Sequence, residues 1–317
     1  MLVLTSKLPH IKKGIVAILC CVSNALYADI RIEDSLGEKV FSEAPKRVAS
    51  LNWELTENVI ELGVEPIAVA DMKGYEEWVT RPALPASSQD IGDRAEPNLE
   101  KLAQLKPDVI LIGAALEGIK SRLEKIAPVV FFNTYQKNHN NAEAADRVFL
   151  TIATLLDKQD IATEKLANRT KVLNQLKAKL EEKYPEGMPK VASMRFANTT
   201  SAYVYGKNAM PEYALNALGI DNALSLKNTQ WGVTQKKIKF LRSVNDNVLL
   251  YFQPFYEEEK LNASPLWKAM LFVQQGKVAP IASTWTYGGA MSLQYLAEAM
   301  TDALLSLPNE RRMTDQE

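Results

Sequence analysis

Residues 160 to 184 read DIATEKLANRTKVLNQLKAKLEEKY, a run with no glycine or proline in which Leu166, Leu173, Leu176 and Leu180 fall close to one helical stripe. At ~1.5 Å per residue this helix is about 37 Å long, comparable with a small domain and too long for an ordinary crossover between neighbouring strands. It therefore divides the chain. Whatever folds before it and whatever folds after it are two bodies joined by one stiff rod, which predicts only modest closure between them.

Both flanking regions carry the same pattern of short β-branched runs alternating with segments of helical period, the mark of parallel strands joined by crossover helices. Before the rod, strands are expected at Arg47 to Leu51, Val64 to Ala70, Asp108 to Gly113 and Val129 to Asn133. Leu55, Val59 and Leu62 form one helical face that Gly63 stops, and Leu99, Leu102 and Leu105 form another behind the N-cap candidate Asn98. After the rod, strands are expected at Lys190 to Ala197, Ala202 to Tyr205, Val248 to Phe252 and Val278 to Ala282, with a last amphipathic helix from Gly289 to Leu305. The expected fold is α/β: two Rossmann-like lobes, 29–157 and 187–317, joined by a linking helix over 158–186. A small-molecule cleft is expected where the lobes meet.

Ahead of these lobes, Lys7, Lys12 and Lys13 precede an apolar run from Gly14 to Val22 that is about half the ~20 residues needed to span a bilayer. This is the shape of a signal peptide over residues 1–28, with cleavage expected after Ala28 although Leu26 is large for its position. Both cysteines, Cys20 and Cys21, lie inside it, and neither follows the small residue of a lipid-attachment signal. The remaining roughly 290 residues are enough for two cores without disulfides, and thiolate chemistry is excluded from them. The net charge of −1, with both signs interspersed, provides no basic field for nucleic acid or acidic lipid.

The only histidine beyond the leader is His139, in the polar stretch KNHNN, where solvation is the simpler reading than catalysis. No GxxxxGK[ST], GxGxxG or HExxH motif occurs. Carboxylate pairs are plentiful but identify no reaction, so a secreted carboxylate-based hydrolase is a remote alternative. The aromatic residues are more informative. Tyr75 and Trp78 are expected in a loop before Pro82, Trp231 in the turn NTQWG, and Trp285 and Tyr287 in STWTYGG. For each alone, packing and ligand contact are both open. Together, on loops that both lobes can turn toward one cleft, they suit rigid walls for an organic ligand. Arg94, in GDRAEPN, offers a planar fork for clustered oxygen atoms, against the plainer reading of an ion pair with Asp93 or Glu96. Trp53 and Trp267 carry less weight, Trp267 being expected as packing.

The runs PKRVASLNWELTENVIELGVEPIAVAD, IGDRAEPNLEKLAQLKPDVILIG and SPLWKAMLFVQQGKV resemble the helical-backbone class of periplasmic binding proteins for siderophores, haem and cobalamin. The NW pair at Trp53, YEEWVTRPALP, GDRAEPNLE, the W-G turn at Trp231 and WTYGGAMS are similar to its ferric-hydroxamate-binding (FhuD-type) members. The resemblance implies that Arg94 binds hydroxamate oxygens and that Trp78, Trp231, Trp285 and Tyr287 line the cleft. It implies no cofactor and no direct metal ligand, since iron(III) travels inside the siderophore. The implied partners are a ferric siderophore and an inner-membrane ABC permease with its ATPase, met by a monomer in the periplasm. It also implies docking carboxylates on each lobe, for which Glu100 fits the first and Glu212, one turn before Asn216, the second. One departure stands out: Leu116, in GAALEG, occupies the place of a tyrosine donor. Within the same fold, a catecholate or carboxylate siderophore, haem or cobalamin are alternatives. Catecholates call for more basic groups than Arg94, the only clear one, and haem for an axial ligand such as Tyr75 or Tyr287.

Overall fold

The computed structural model describes residues 29–308; the expected signal peptide and its cleavage site lie outside the described residues. A hairpin not foreseen from the sequence opens this region, β1 (Ile30–Asp34) paired antiparallel with β2 (Gly37–Phe41). The strands β3 (Val48–Ser50), β4 (Ala68–Val69), β5 (Gln89–Asp90), β6 (Val109–Gly113) and β7 (Val129–Phe132) then form a parallel sheet in the order β5-β4-β3-β6-β7. Its connections carry the helices α1 (Trp53–Glu61), α2 (Met72–Trp78), α3 (Leu99–Gln104) and the single turn α4 (Lys120–Leu123). All of β6, VILIG, is buried, as a parallel strand covered on both faces requires. Its alternation sends Val109 and Leu111 to one core and Ile110 and Ile112 to another.

The helix α5 (Asn141–Leu155) leads into the rod, α6 (Gln159–Lys183), and then into β8 (Val191–Asn198), β9 (Ser201–Tyr205) and helix α7 (Met210–Ala217). β10 (Val233–Lys237) and β11 (Val248–Phe252) follow, then the short helices α8 (Glu258–Ala263), α9 (Pro265–Lys268) and α10 (Leu271–Gln274). β12 (Val278–Ile281) and α11 (Ser292–Ser306) complete the chain described. The second sheet, β10-β9-β8-β11-β12, is mixed: β8, β11 and β12 are parallel, whereas β9 runs antiparallel to both of its neighbours, β8 and β10. Strand β10, VTQKK, was not legible as a strand because it lies at the sheet edge and carries little apolar pattern. Trp267 packs in the core beside Phe196, as expected.

The leucine stripe of α6 is shared between the lobes. Leu166 packs on the first core with buried Ala162, while Leu173, Leu176 and Leu180 pack on the second. Where the stripe changes core, Arg169 is buried, and its guanidinium donates to both carboxylate oxygens of Asp146 on α5 at 2.6 Å and to the Ala290 carbonyl at 2.8 Å.

A second joint lies along α1. Its apolar face, Leu55, Val59 and Leu62, is buried as expected, but so is the face carrying Glu54, Glu57 and Glu61. The segment before and within α11 covers those acids. Glu57 Oε2 accepts from the Gly289 N–H and the Ser292 hydroxyl, each at 2.6 Å, and Asn58 accepts from the Ala290 N–H at 3.2 Å. Tyr295 donates to Glu61, which also pairs with Lys165 at 2.6 Å. The two lobes are thus joined twice, by the rod and by this row of buried polar contacts.

Candidate functional site

In parallel sheets, ligands bind beyond the C-terminal ends of the strands. In the first lobe Asn52 follows β3, Asp71 follows β4, Arg94 follows β5, Ala115 follows β6, and Thr134 and Tyr135 follow β7. From the second lobe Arg195 lies within β8, Trp285 and Tyr287 follow β12, and Trp231 sits in the turn that enters β10. Asn52, Glu54, Arg94, Ala115, Trp231, Val233, Trp285 and Tyr287 enclose a cavity of about 330 Å³. A side notch of about 390 Å³ shares Asn52, Arg94 and Ala115 with it and reaches Asp71, Asp93 and Leu116.

Arg94 is held by its turn. The Asn98 N–H donates to the Ile91 carbonyl at 2.8 Å, closing the base, and Asp93 accepts from the N–H groups of Ala95 and Glu96 at 2.6 and 3.2 Å. Asp93 is thus occupied with the turn, and Arg94 pairs across it with Asp71, Nε to Oδ2, at 3.6 Å. Its guanidinium lies 3.5 Å over the Trp53 ring and 5.7 Å from Trp285. Burial draws the Arg94 pKa below its ordinary value, opposed by the charges of Asp71 and Asp93. A cation stacked on indole with one distant carboxylate keeps donors of its fork free for an oxygen-rich ligand.

The walls are a chain of ring contacts crossing between the lobes. Trp53 meets Trp285 edge-on at 4.8 Å, Trp285 meets Tyr287 at 5.4 Å, and Tyr287 meets Trp231 at 5.4 Å. Trp231 stacks on Tyr135 at 4.9 Å and 21°, yet remains 39% exposed, so one face is fixed and the other is open. Burial pushes the Tyr287 hydroxyl well above its ordinary range, with Tyr205 adding to that effect and Arg195 opposing it. Tyr287 therefore stays a neutral donor.

Several expectations are corrected by this geometry. Tyr75 and Trp78 lie on helix α2, not in a loop, because Asp71 caps that helix by accepting from the Gly74 N–H at 3.1 Å. Tyr75 is completely buried, with its hydroxyl given to the Pro82 carbonyl at 2.9 Å, so it packs beneath Trp53 and is not a wall. Trp53 is also buried, its N–H donated to the Ala70 carbonyl at 3.1 Å, and it acts as the floor under Arg94. Leu116 is core, bordering only the notch; the exposed residue at that strand end is Ala115. Arg94 pairs with neither Asp93 nor Glu96.

Arg195 is one site residue that sequence reading missed. Its guanidinium lies 4.6 Å over Tyr203 and 5.6 Å over Trp78, bringing a second cation to the cleft edge. The available signal was an arginine inside a largely apolar strand, VASMRFAN. Trp78, half-buried, belongs to that edge and not to the central cavity. Tyr135 and Thr134 were also missed, since TYQKN has neither period. His139 Nε2 lies 2.8 Å from the Thr134 carbonyl and is engaged there. Glu100 is exposed in the first turn of α3, and Glu212, in the first turn of α7, is half-buried and bonded to the side chain of Asn222.

A larger cavity, about 660 Å³, lies along α6 and α11 and shares no lining residue with the aromatic cleft. Within it Arg81 pairs with Glu298 at 2.7 Å and stacks 4.2 Å from Tyr295. Convergent free donors and open ring faces, not volume, distinguish a ligand site, and they belong to the smaller cleft.

Gly232, next to Trp231, has φ +64°, and a Cβ there would stand 2.0 Å from the Ala209 backbone nitrogen. Gly232→Ala is therefore expected to cost ~2 kcal/mol or more and to release Trp231 from Tyr135. Urea unfolding and the change in tryptophan emission report both effects.

The chain matches the family described as "Periplasmic binding protein" over residues 48–284. It is 29% identical over 262 residues to the iron(3+)-hydroxamate-binding protein FhuD of Escherichia coli K12, covering 82% of this chain and 87% of that protein. It is 31% identical over 264 residues to the Fe(3+)-citrate-binding protein YfmC of Bacillus subtilis 168, covering 80% and 79%. Among solved structures, the siderophore binding protein FhuD from Vibrio cholerae with bound Fe3+–Desferal superposes with a TM-score of 0.81 at 44% identity, covering 83% of this chain and 99% of that one.

Proposed function

The chain belongs to the periplasmic binding protein family, and from that premise we propose that it is the substrate-binding component of an ABC importer for ferric hydroxamate siderophores. The carrying observation is the placement of Arg94, 3.5 Å over Trp53, at the end of a cleft walled by Trp231, Trp285 and Tyr287. A ferric trihydroxamate presents an organic exterior and a patch of iron-bound oxygens. Ring faces bury the exterior, and the arginine fork and the Tyr287 hydroxyl address the oxygens. Iron is cargo inside the siderophore and needs no ligand from the protein. Sequence similarity to relatives named for ferric-hydroxamate and ferric-siderophore binding supports this reading.

On this reading the protein works in the periplasm as a monomer, after loss of its leader, and hands its cargo to an inner-membrane permease driven by an ATPase. Glu100 and Glu212 stand in the first turns of α3 and α7, one on each lobe, and are proposed as the carboxylates that dock on permease arginines. Binding and handover require no covalent chemistry.

Arg195 favours one second reading. With two cations at the cleft, a more anionic ferric complex, catecholate or carboxylate, becomes a reasonable ligand, and the similarity to a ferric-citrate-binding relative points the same way. Tryptophan fluorescence titrated with a siderophore panel separates the two. Ferric hydroxamates are expected to quench saturably, with iron-free hydroxamate or ferric salt doing much less. A flat hydroxamate response with strong quenching by a catecholate or citrate complex would replace the first reading by the second.

A further inference from the structure

Glu54 has no part in the binding scheme above, yet it lines the same cavity as Arg94, Trp231, Trp285 and Tyr287 while being only 5% exposed. A carboxyl among tryptophan and tyrosine rings is an expensive choice for a wall, because the ionised form loses its hydration there. Its two oxygens have different surroundings. Oε1 accepts the Thr134 hydroxyl, and no other hydrogen bond to this carboxyl is found among the described residues. On the same lobe, the end of β6 offers no polar side chain, with Ala115 at the cleft and Leu116 in the core. Apart from Arg94, the polar side chains this lobe sends into the central cavity are Asn52 and Glu54, and Asn52 is occupied in part as the N-cap of α1, accepting from the Glu54 N–H at 2.9 Å.

Resting on the hydroxamate reading above, we propose that Glu54 is a specificity-determining residue whose protonated carboxyl donates a hydrogen bond to a ligand oxygen. The Thr134 hydroxyl occupies Oε1 and leaves the other oxygen to carry the proton; that bond by itself favours the ionised form, and burial outweighs it. Burial pushes the Glu54 pKa up to about 8, so the acid is mainly neutral at pH 7. A carboxylic acid kept neutral by an apolar site is an effective donor. The groups facing it are Glu57 on its own helix, Tyr135 after β7, Tyr287 after β12 and Arg94 across the cavity. The tyrosines are held neutral, Arg94 remains charged, and Glu57 titrates in the same range as Glu54.

The test is titration of the purified chain with ferrichrome, a neutral ferric trihydroxamate, from pH 6.5 to 9.5. Wild-type affinity is expected to fall about tenfold as pH rises through 8, since the donor form is lost. Glu54→Gln retains a neutral donor of the same size, and is expected to match wild type at pH 6.5 and to lose the slope. Because Glu57 still titrates in that variant, a flat profile assigns the slope to Glu54. Glu54→Leu is expected to bind about tenfold more weakly at pH 6.5, also without slope. Wild-type affinity in Glu54→Leu, or an unchanged slope in Glu54→Gln, overturns the proposal while leaving the hydroxamate reading intact. Failure of wild type to bind any trihydroxamate overturns both.

Discussion

Replacing Arg94 by alanine is expected to weaken binding of a ferric hydroxamate at least tenfold while leaving the thermal unfolding midpoint nearly unchanged. A hydrogen bond from a charged donor is worth about 1.5–3 kcal/mol, and a bidentate pair exceeds the ~1.4 kcal/mol that corresponds to a factor of ten. The fold has little stake in the side chain. Arg94 is 42% exposed, its one ion pair is a long 3.6 Å contact with Asp71, and Trp53 beneath it is fixed independently through Ala70. Lysine is expected not to rescue, because a point charge on a flexible stem neither spreads over the Trp53 face nor presents two parallel donors. Fluorescence or calorimetric titration of wild type, Arg94→Ala and Arg94→Lys decides the matter. Unchanged affinity in Arg94→Ala would remove this residue from the ligand site.

The second large effect is on stability. Burial raises both Glu54 and Glu57 to about 8, and for Glu57 the neighbouring charges of Glu54 and Glu61 add to it. In the unfolded chain both ionise near 4.5. Between these values the unfolded chain has released protons that the folded chain retains, so stability falls as pH rises through this range. The contribution of the pair is full below about 4.5 and lost by the time pH passes about 8. The loss is on the order of a few kcal/mol for each carboxyl. Urea midpoints are expected to drop clearly between pH 5.5 and 9, and the Glu57→Gln variant to show a shallower drop. Equal slopes in the two proteins would mean that Glu57 is ionised in the folded state.

Much of this architecture is legible without coordinates, and the reason differs between elements. The rod was readable because an unbroken helical stripe of that length has one stable conformation, and its observed limits, Gln159–Lys183, fall one residue inside the expected 158–186 at the start and three at the end. Strand β6 was readable because burial on both faces demands an apolar run. By contrast β10 is an edge strand with polar composition, and β1 and β2 are amphipathic only in part, so neither stands out in the linear pattern. Helix α2 was mistaken for a loop because only seven residues, stopped shortly before Pro82, carry too little periodicity to recognise.

The site divides in the same way. Residue type and loop position were sufficient to select Arg94, Trp231, Trp285 and Tyr287, since large aromatics and a guanidinium are conspicuous where packing does not require them. Which of them share one cavity, and which neighbours they meet, depended on the lobes coming together. Tyr75 and Leu116 were drawn into the core, and Arg195, Tyr135 and Thr134 were brought to the cleft from unremarkable positions.

By itself, then, the sequence determined two α/β bodies on one rigid helix and the aromatic and cationic character of what lies between them, because periodicity and residue chemistry are local properties. Only the tertiary structure decided that the acidic face of α1 is buried against the second lobe, that Arg94 rests on Trp53, and that Glu54 opens into the cleft. Burial and charge proximity join residues far apart in the chain, such as Glu57 and Gly289, and no local pattern encodes which distant segment will cover a given face.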